Sequence, residues 1–195
     1  MESAERKFRE RANRARRGLL NEKKKKGYIN DGSGKRYRVG VFYLLSGDVE
    51  KALEFYSWFE QEFPDDIGEP ICELYWALAH YRAGNIEEAR FRLQSTMLKN
   101  IYLLPLLFNE PMEKQEIWHG SNREQLEYLF EVEEFLGEPT VEERKWMKKE
   151  FHSKRFEELR TGYIETYKAL LHERDVEKRG KILDDWHQYA QRYFE

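Results

Sequence analysis

Two copies of one short phrase constrain this chain more than any other feature. The first is Gly47-Asp48-Val49-Glu50-Lys51-Ala52 and the second is Gly84-Asn85-Ile86-Glu87-Glu88-Ala89, 37 residues further on. Each follows one helical apolar pattern and opens another. Glycine accepts the left-handed conformation that closes a helix. Asp48 or Asn85 then offers an oxygen to a free N–H at the start of the next helix. Glu50, Glu87 and Glu88 place negative charge in the first turn, where the dipole favours it. Ala52 and Ala89, five residues after each glycine, are small enough for two helices to approach closely. The pattern predicts a helix–turn–helix unit, twice.

The residues around the first turn resemble the tetratricopeptide repeat, a 34-residue helical hairpin. Gly40 stands at the small position of the first helix, with Val39 before it and Tyr43 three residues after. Ala52 and Tyr56 take the small and aromatic positions of the second helix, and Pro64 closes the unit, although Phe59 replaces the usual small residue. The second copy is looser. Trp76, Ala77, Gly84 and Ala89 fit, whereas His80, Leu93 and Ile101 stand where other types are usual. About three extra residues are expected between the units, in the stretch Phe63 to Pro70. The resemblance spans about 70 residues, around 33–101, and it implies an all-α superhelix of hairpins with a helical C-terminal extension.

In that family the first helices of the hairpins line a concave groove. The positions that carry over are Tyr37, Val41 and Leu44, then Leu74, Leu78 and Tyr81. They are mostly apolar and lack the Lys and Asn that grip a peptide carboxylate in some members. Two readings stay open. Another helix of the chain fills the groove, or a hydrophobic peptide or partner helix does, because an uncovered apolar face of this size is unfavourable.

Charge is unevenly placed. Among residues 1–38, 14 Lys and Arg against 5 Asp and Glu leave +9, and the remaining 20 against 32 leave −12. Residues 3–26 read as a helix with a narrow apolar stripe of Phe8, Ala12, Ala15 and Leu19. Such an arm either docks on the acidic body or meets RNA, DNA or another polyanion. The candidate contacts are Arg9, Arg14, Arg16, Arg17, Lys23, Lys24, Lys25 and Lys26. Phe8 is the only aromatic before Tyr28, so base stacking is poorly provided for. The segment Asn30 to Gly34 contains Gly-x-Gly before Lys35 but lacks the spacing of a phosphate loop.

Three parts are therefore expected: a basic arm over 1–30, two hairpins over 31–110, and a helical extension over 111–195. The stretch Asn100 to Phe108 reads as a buried connector with a helical turn, since Pro105 and Pro111 bar a long helix. Ser121 with Glu124, and Thr140 with Glu143, have capping-box spacing. They predict helices over about 121–136 and from 140 to about 173, the latter broken near Ser153 or Gly162. Asp175 is expected to cap a last helix.

No local pattern argues for catalysis, so the chain is not expected to be an enzyme and neither a cofactor nor a metal is expected. His80, His119, His152, His172 and His187 form no ligand spacing. Only His119, beside Trp118 and Glu116, makes a local cluster. The single Cys72 excludes an intrachain disulfide and suits a small core position. No apolar run reaches the roughly 20 residues of a membrane helix, and the basic N-terminus has no apolar core of a secretory signal, so a cytoplasmic setting is expected. The functional expectation is a protein-interaction module or adaptor with a protein or peptide partner, the alternative being nucleic-acid binding through residues 1–26.

Overall fold

The computed structural model describes residues 3–194, and these form an all-α protein of eleven helices and one 3-10 turn, with no strand among the described residues. The chain divides into two compact units, Met1–Leu93 and Gln94–Glu195. The basic helix thus falls in the first unit.

The first unit contains α1 (Ala4–Lys26), α2 (Arg36–Leu45), α3 (Val49–Glu62), α4 (Pro70–Arg82) and the start of α5 (Ile86–Lys99). Ser3 caps α1 by accepting from the Arg6 N–H, and Gly27 ends it with φ 82°. Ala12 and Leu19 of the expected stripe are buried, while Phe8 and Ala15 are half-buried. Phe8 stacks on Phe42, and the Tyr43 hydroxyl donates to Asn13 Oδ1 at 2.9 Å, so α1 packs on α2. Asp31 accepts from the backbone N–H groups of Lys35 and Arg36 at 3.0 and 2.8 Å. A carboxylate therefore already fills the start of α2, where the Gly-x-Gly loop would otherwise hold an anion.

The two repeat turns share the same hydrogen bonds. Gly47 N–H donates to Leu44 O and Gly84 N–H to Tyr81 O, both at 3.0 Å. Asp48 N–H donates to Tyr43 O and Asn85 N–H to His80 O, at 3.0 and 2.9 Å. This pairing is a Schellman closure. Gly47 has φ 78° and Gly84 has φ 80°, the left-handed region that glycine enters without strain. Each bond in the second turn is the first displaced by 37 residues. Asp48 caps α3 through the Lys51 N–H as expected.

The small positions serve close packing. A Cβ on Gly40 would lie 2.3 Å from the Tyr56 ring. Tyr56 stacks on Trp76 with ring centroids 4.8 Å apart and planes 7° from parallel. The Arg92 guanidinium covers the other side of Trp76, 3.4 Å from the ring centroid. Arg92 is itself held by Glu60 at 2.7 Å and Glu88 at 3.0 Å. The Trp76 indole N–H donates to His80 Nε2 at 3.1 Å, which gives the histidine at this position a structural role. Burial lowers the His80 pKa, which favours the neutral ring that an accepting Nε2 requires. Cys72 is a buried thiol whose pKa burial raises well above the ordinary value.

The second unit contains α6 (Leu103–Leu107), α7 (Tyr128–Glu131), α8 (Glu133–Leu136), α9 (Val141–Phe151), α10 (Lys154–His172) and α11 (Val176–Gln191). The Thr140–Glu143 capping box forms in both directions, Ser153 separates α9 from α10, and Asp175 caps α11. The helix expected over 121–136 does not form. Its place is taken by a 3-10 turn at Asn122–Glu124 followed by the short α7 and α8. The cause lies outside the segment. The side-chain amide of buried Asn100 donates to Arg123 O and Gln125 O at 2.8 and 3.1 Å, taking carbonyls that a helix would use. Glu124 turns to the Gly120 N–H at 2.8 Å, and Ser121 makes no side-chain cap.

Candidate interaction site

The six positions expected to line a groove do not face water. Tyr37, Val41, Leu44, Leu74 and Leu78 are buried, and Tyr81 is half-buried. The reason is that α4 is buried without interruption from Pro70 to Ala79, on all its faces. A helix apolar on nearly every face belongs to an interior, and its one buried charge, Glu73, has Arg92 at 3.9 Å. The Tyr37 hydroxyl is also engaged internally, donating to Asp66 at 2.9 Å and accepting from Arg36 at 2.7 Å. The folded chain therefore offers no open apolar groove at these residues, and of the two readings their burial agrees with cover by the chain's own packing rather than with a partner groove.

The basic helix is split between inner and outer faces. Arg9, Arg16 and Lys23, seven residues apart, pair with Asp48, Glu54 and Glu62; the first two distances are 3.5 and 2.7 Å. These partners ascend in the same order, so α1 runs in the direction of α3. Lys26 pairs within its own helix with Glu22 at 2.8 Å. Arg14, Arg17, Lys24 and Lys25 are exposed and make no ion pair among the described residues, and the same is true of Lys7. At about 100° per residue these five fall within a sector of about 100°, opposite buried Ala12 and Leu19. The arm is both docked and outwardly basic.

A cleft of about 770 Å³ opens in the second unit. Its walls are Leu106, Leu107 and Phe108 near α6, Leu129 and Phe130 of α7, and Leu136 of α8. Phe130 stands 76% exposed at this cleft. Arg144 of α9 ties the walls together, donating to Leu107 O at 2.7 Å, Leu136 O at 2.5 Å and Pro139 O at 3.1 Å. Those carbonyls include the ends of α6 and α8, which have no partner within their own helices. Arg144, Lys145, Lys148 and Glu133 supply the charges of the cleft. Lys148 and His152 both reach Glu110 Oε1 at 2.8 Å. Desolvation opposes ionisation of Glu110, but these two neighbours hold its carboxyl below the ordinary value. The sequence does not mark this cleft as a site. Its one signal there is the run of apolar residues after Asn100, which reads equally as core.

His119 meets Glu124 rather than the exposed Glu116, with Nδ1 and Oε2 3.9 Å apart. Burial lowers the His119 pKa and raises that of Glu124, so both groups shift toward neutrality. Trp118 stacks on Tyr167 and its backbone N–H donates to Tyr167 O at 2.9 Å. The cluster is a packed junction. Among the described residues no group of three His, Cys, Asp or Glu could hold a metal ion, and no helix is long and apolar enough to cross a membrane. No family model, curated protein or solved structure matches the chain, and its function rests on the geometry alone.

Proposed function

We propose that the chain is a protein-interaction module whose helical scaffold is tetratricopeptide-like and whose partner enters the α6–α9 cleft. The observation that carries this reading is Phe130, a large apolar side chain left 76% exposed beside an apolar cleft of about 770 Å³. Exposed apolar surface joined to a concavity is the common mark of a recognition site. The partner segment would bring apolar side chains for Leu106, Leu129, Phe130 and Leu136, and a carboxylate for Lys145. Affinity would come from the buried apolar anchors and selectivity from the charged rim. The hairpin reading of the scaffold is supported by the two turns, which repeat bond for bond at an offset of 37 residues. We place the module in the cytoplasm, where a lone buried thiol such as Cys72 stays reduced.

The test compares proteins retained by the full chain and by its Phe130→Glu/Lys145→Glu variant, with circular dichroism confirming the fold. At least one partner retained by the wild type should fall tenfold or more with the variant. An unchanged set of retained proteins removes the cleft from the account.

A second reading has its own observation. The outward ridge of Lys7, Arg14, Arg17, Lys24 and Lys25 would meet a polyanion such as RNA or DNA without disturbing the inner ion pairs of α1. Five phosphate contacts would give a log–log salt slope of about −4.5 for duplex DNA, at about 0.9 per contact. Reversing all five to Glu should abolish binding and leave the melting temperature within a few degrees. Deleting residues 1–26 is the wrong test, because α1 contributes Ala12 and Leu19 to the core.

A further inference from the structure

The hairpin of α10 and α11 carries a second open groove, of about 600 Å³. Its apolar lining is Gly162, Ala169, Ile182, Trp186 and Tyr189, joined by Thr161 and Thr166, and its acidic groups are Glu157, Glu158, Glu165 and Asp185. Among the described residues no Lys or Arg lines it. The close approach of the two helices depends on Gly162, where a Cβ would lie 2.6 Å from the Tyr189 ring and 3.3 Å from Trp186. The buried stripe of α10, Phe156, Leu159, Tyr163 and Leu170, is used inside the unit, and the groove lies along other positions of the helix.

The four carboxylates are not equally engaged. Glu158 has local partners: Lys154 at 3.6 Å and the Tyr193 hydroxyl at 3.3 Å. Glu157, Glu165 and Asp185 are exposed and make no ion pair among the described residues. From Glu157 to Ala169 the groove follows α10 for about three turns. That length matches a further helix of similar extent. Glu157 and Glu165 lie about two turns apart along it.

We propose that this groove docks a basic amphipathic helix of a partner protein. The partner's apolar stripe would lie on Ile182, Trp186 and Tyr189, and its Lys or Arg residues would face Glu157, Glu165 and Asp185. Charge complementarity argues for this occupant: a groove whose lining combines apolar side chains with one sign of charge selects an apolar segment bearing the other. The chain's own basic helix, α1, is not the occupant, because its apolar stripe is already buried on α2. The same holds for α1 of a second copy. This surface is distinct from the α6–α9 cleft and prefers the opposite charge, so the two proposals stand or fall separately.

The probe is a synthetic helical peptide of Leu and Lys at amphipathic spacing, about four turns long, titrated onto the full chain by calorimetry. The wild type should bind it with an affinity that weakens as salt rises. The Glu157→Gln/Glu165→Gln/Asp185→Asn variant should bind about tenfold more weakly. Ala169→Trp, which fills the groove without changing charge, should weaken binding to a similar extent. A control carrying the same charge change elsewhere, Glu113→Gln/Glu116→Gln/Glu142→Gln, should bind within twofold of wild type. Equal binding by the wild type, the triple variant and Ala169→Trp overturns the proposal. So does equal affinity for a Lys-Ser peptide of the same charge, which would show attraction without apolar docking. Spermidine competing at the same affinity as the peptide, or a dimer of the chain abolished by Ala169→Trp, would also overturn it by naming a different occupant.

Discussion

Trp76→Ala should lower the unfolding free energy by about 3–5 kcal/mol, the range for removing a large buried aromatic side chain. Trp76 is buried and contacts three kinds of neighbour at once. Tyr56 stacks on one side at 4.8 Å, Arg92 lies on the other at 3.4 Å, and Phe59 meets it edge-on at 6.2 Å. Its loss leaves a cavity and takes the ring from under a guanidinium whose side chain is only 12% exposed. A desolvated cation–π contact contributes up to about 2 kcal/mol. Trp76→Phe keeps an aromatic face but loses the N–H that donates to His80, and it should cost less than half as much. Chemical denaturation followed by circular dichroism measures both. A loss under about 1 kcal/mol for Trp76→Ala, well below that range, would mean that the stack does not hold the first unit together.

The second large effect is expected at Gly40. Gly40→Leu should destabilise by roughly 3 kcal/mol, the upper end of the usual range for overpacking. A Cβ there meets Tyr56 ring atoms at 2.3 and 2.5 Å, and Tyr56 cannot withdraw because it is buried against Trp76. The cause is steric, so it can be separated from helix propensity, which by itself favours replacing a mid-helix glycine. In a Tyr56→Ala background the same Gly40→Leu change should cost far less, with a coupling energy of about 1–3 kcal/mol. Strict additivity of the two substitutions would place the conflict somewhere other than the Tyr56 ring.

These two positions also show how the chain can be read. Gly40 and Trp76 are picked out by the repeat pattern, but the pattern does not say that Tyr56 joins them. That contact depends on the rotamer of one ring between two hairpins. Similarly, Phe59 is legible as an aromatic on the apolar face of α3, whereas its edge-on contact with Trp76 is not. The basic helix divides the same way. Its stripe and cationic faces follow from the helical period, but the pairs that fasten it join residues 38 or 39 positions apart.

Features that depend on a few neighbouring residues are legible in the chain before it folds. The all-α class, the left-handed closures at Gly47 and Gly84, the Asp48 and Asp175 caps and the Thr140–Glu143 box all follow from local backbone preferences and local hydrogen bonds, whereas the helix break could be read at Ser153 or at Gly162 and the fold places it at Ser153. Which apolar faces stay open is set by packing between distant segments. It buried Tyr37, Val41, Leu44, Leu74 and Leu78, and it left Phe130 in water. It also broke the helix expected over 121–136, because Asn100 reaches across more than twenty residues to take two of its carbonyls. The reason is common to all three cases. Periodicity tells which face of a helix is apolar, but the partner that covers that face is chosen by contacts between segments far apart in the chain.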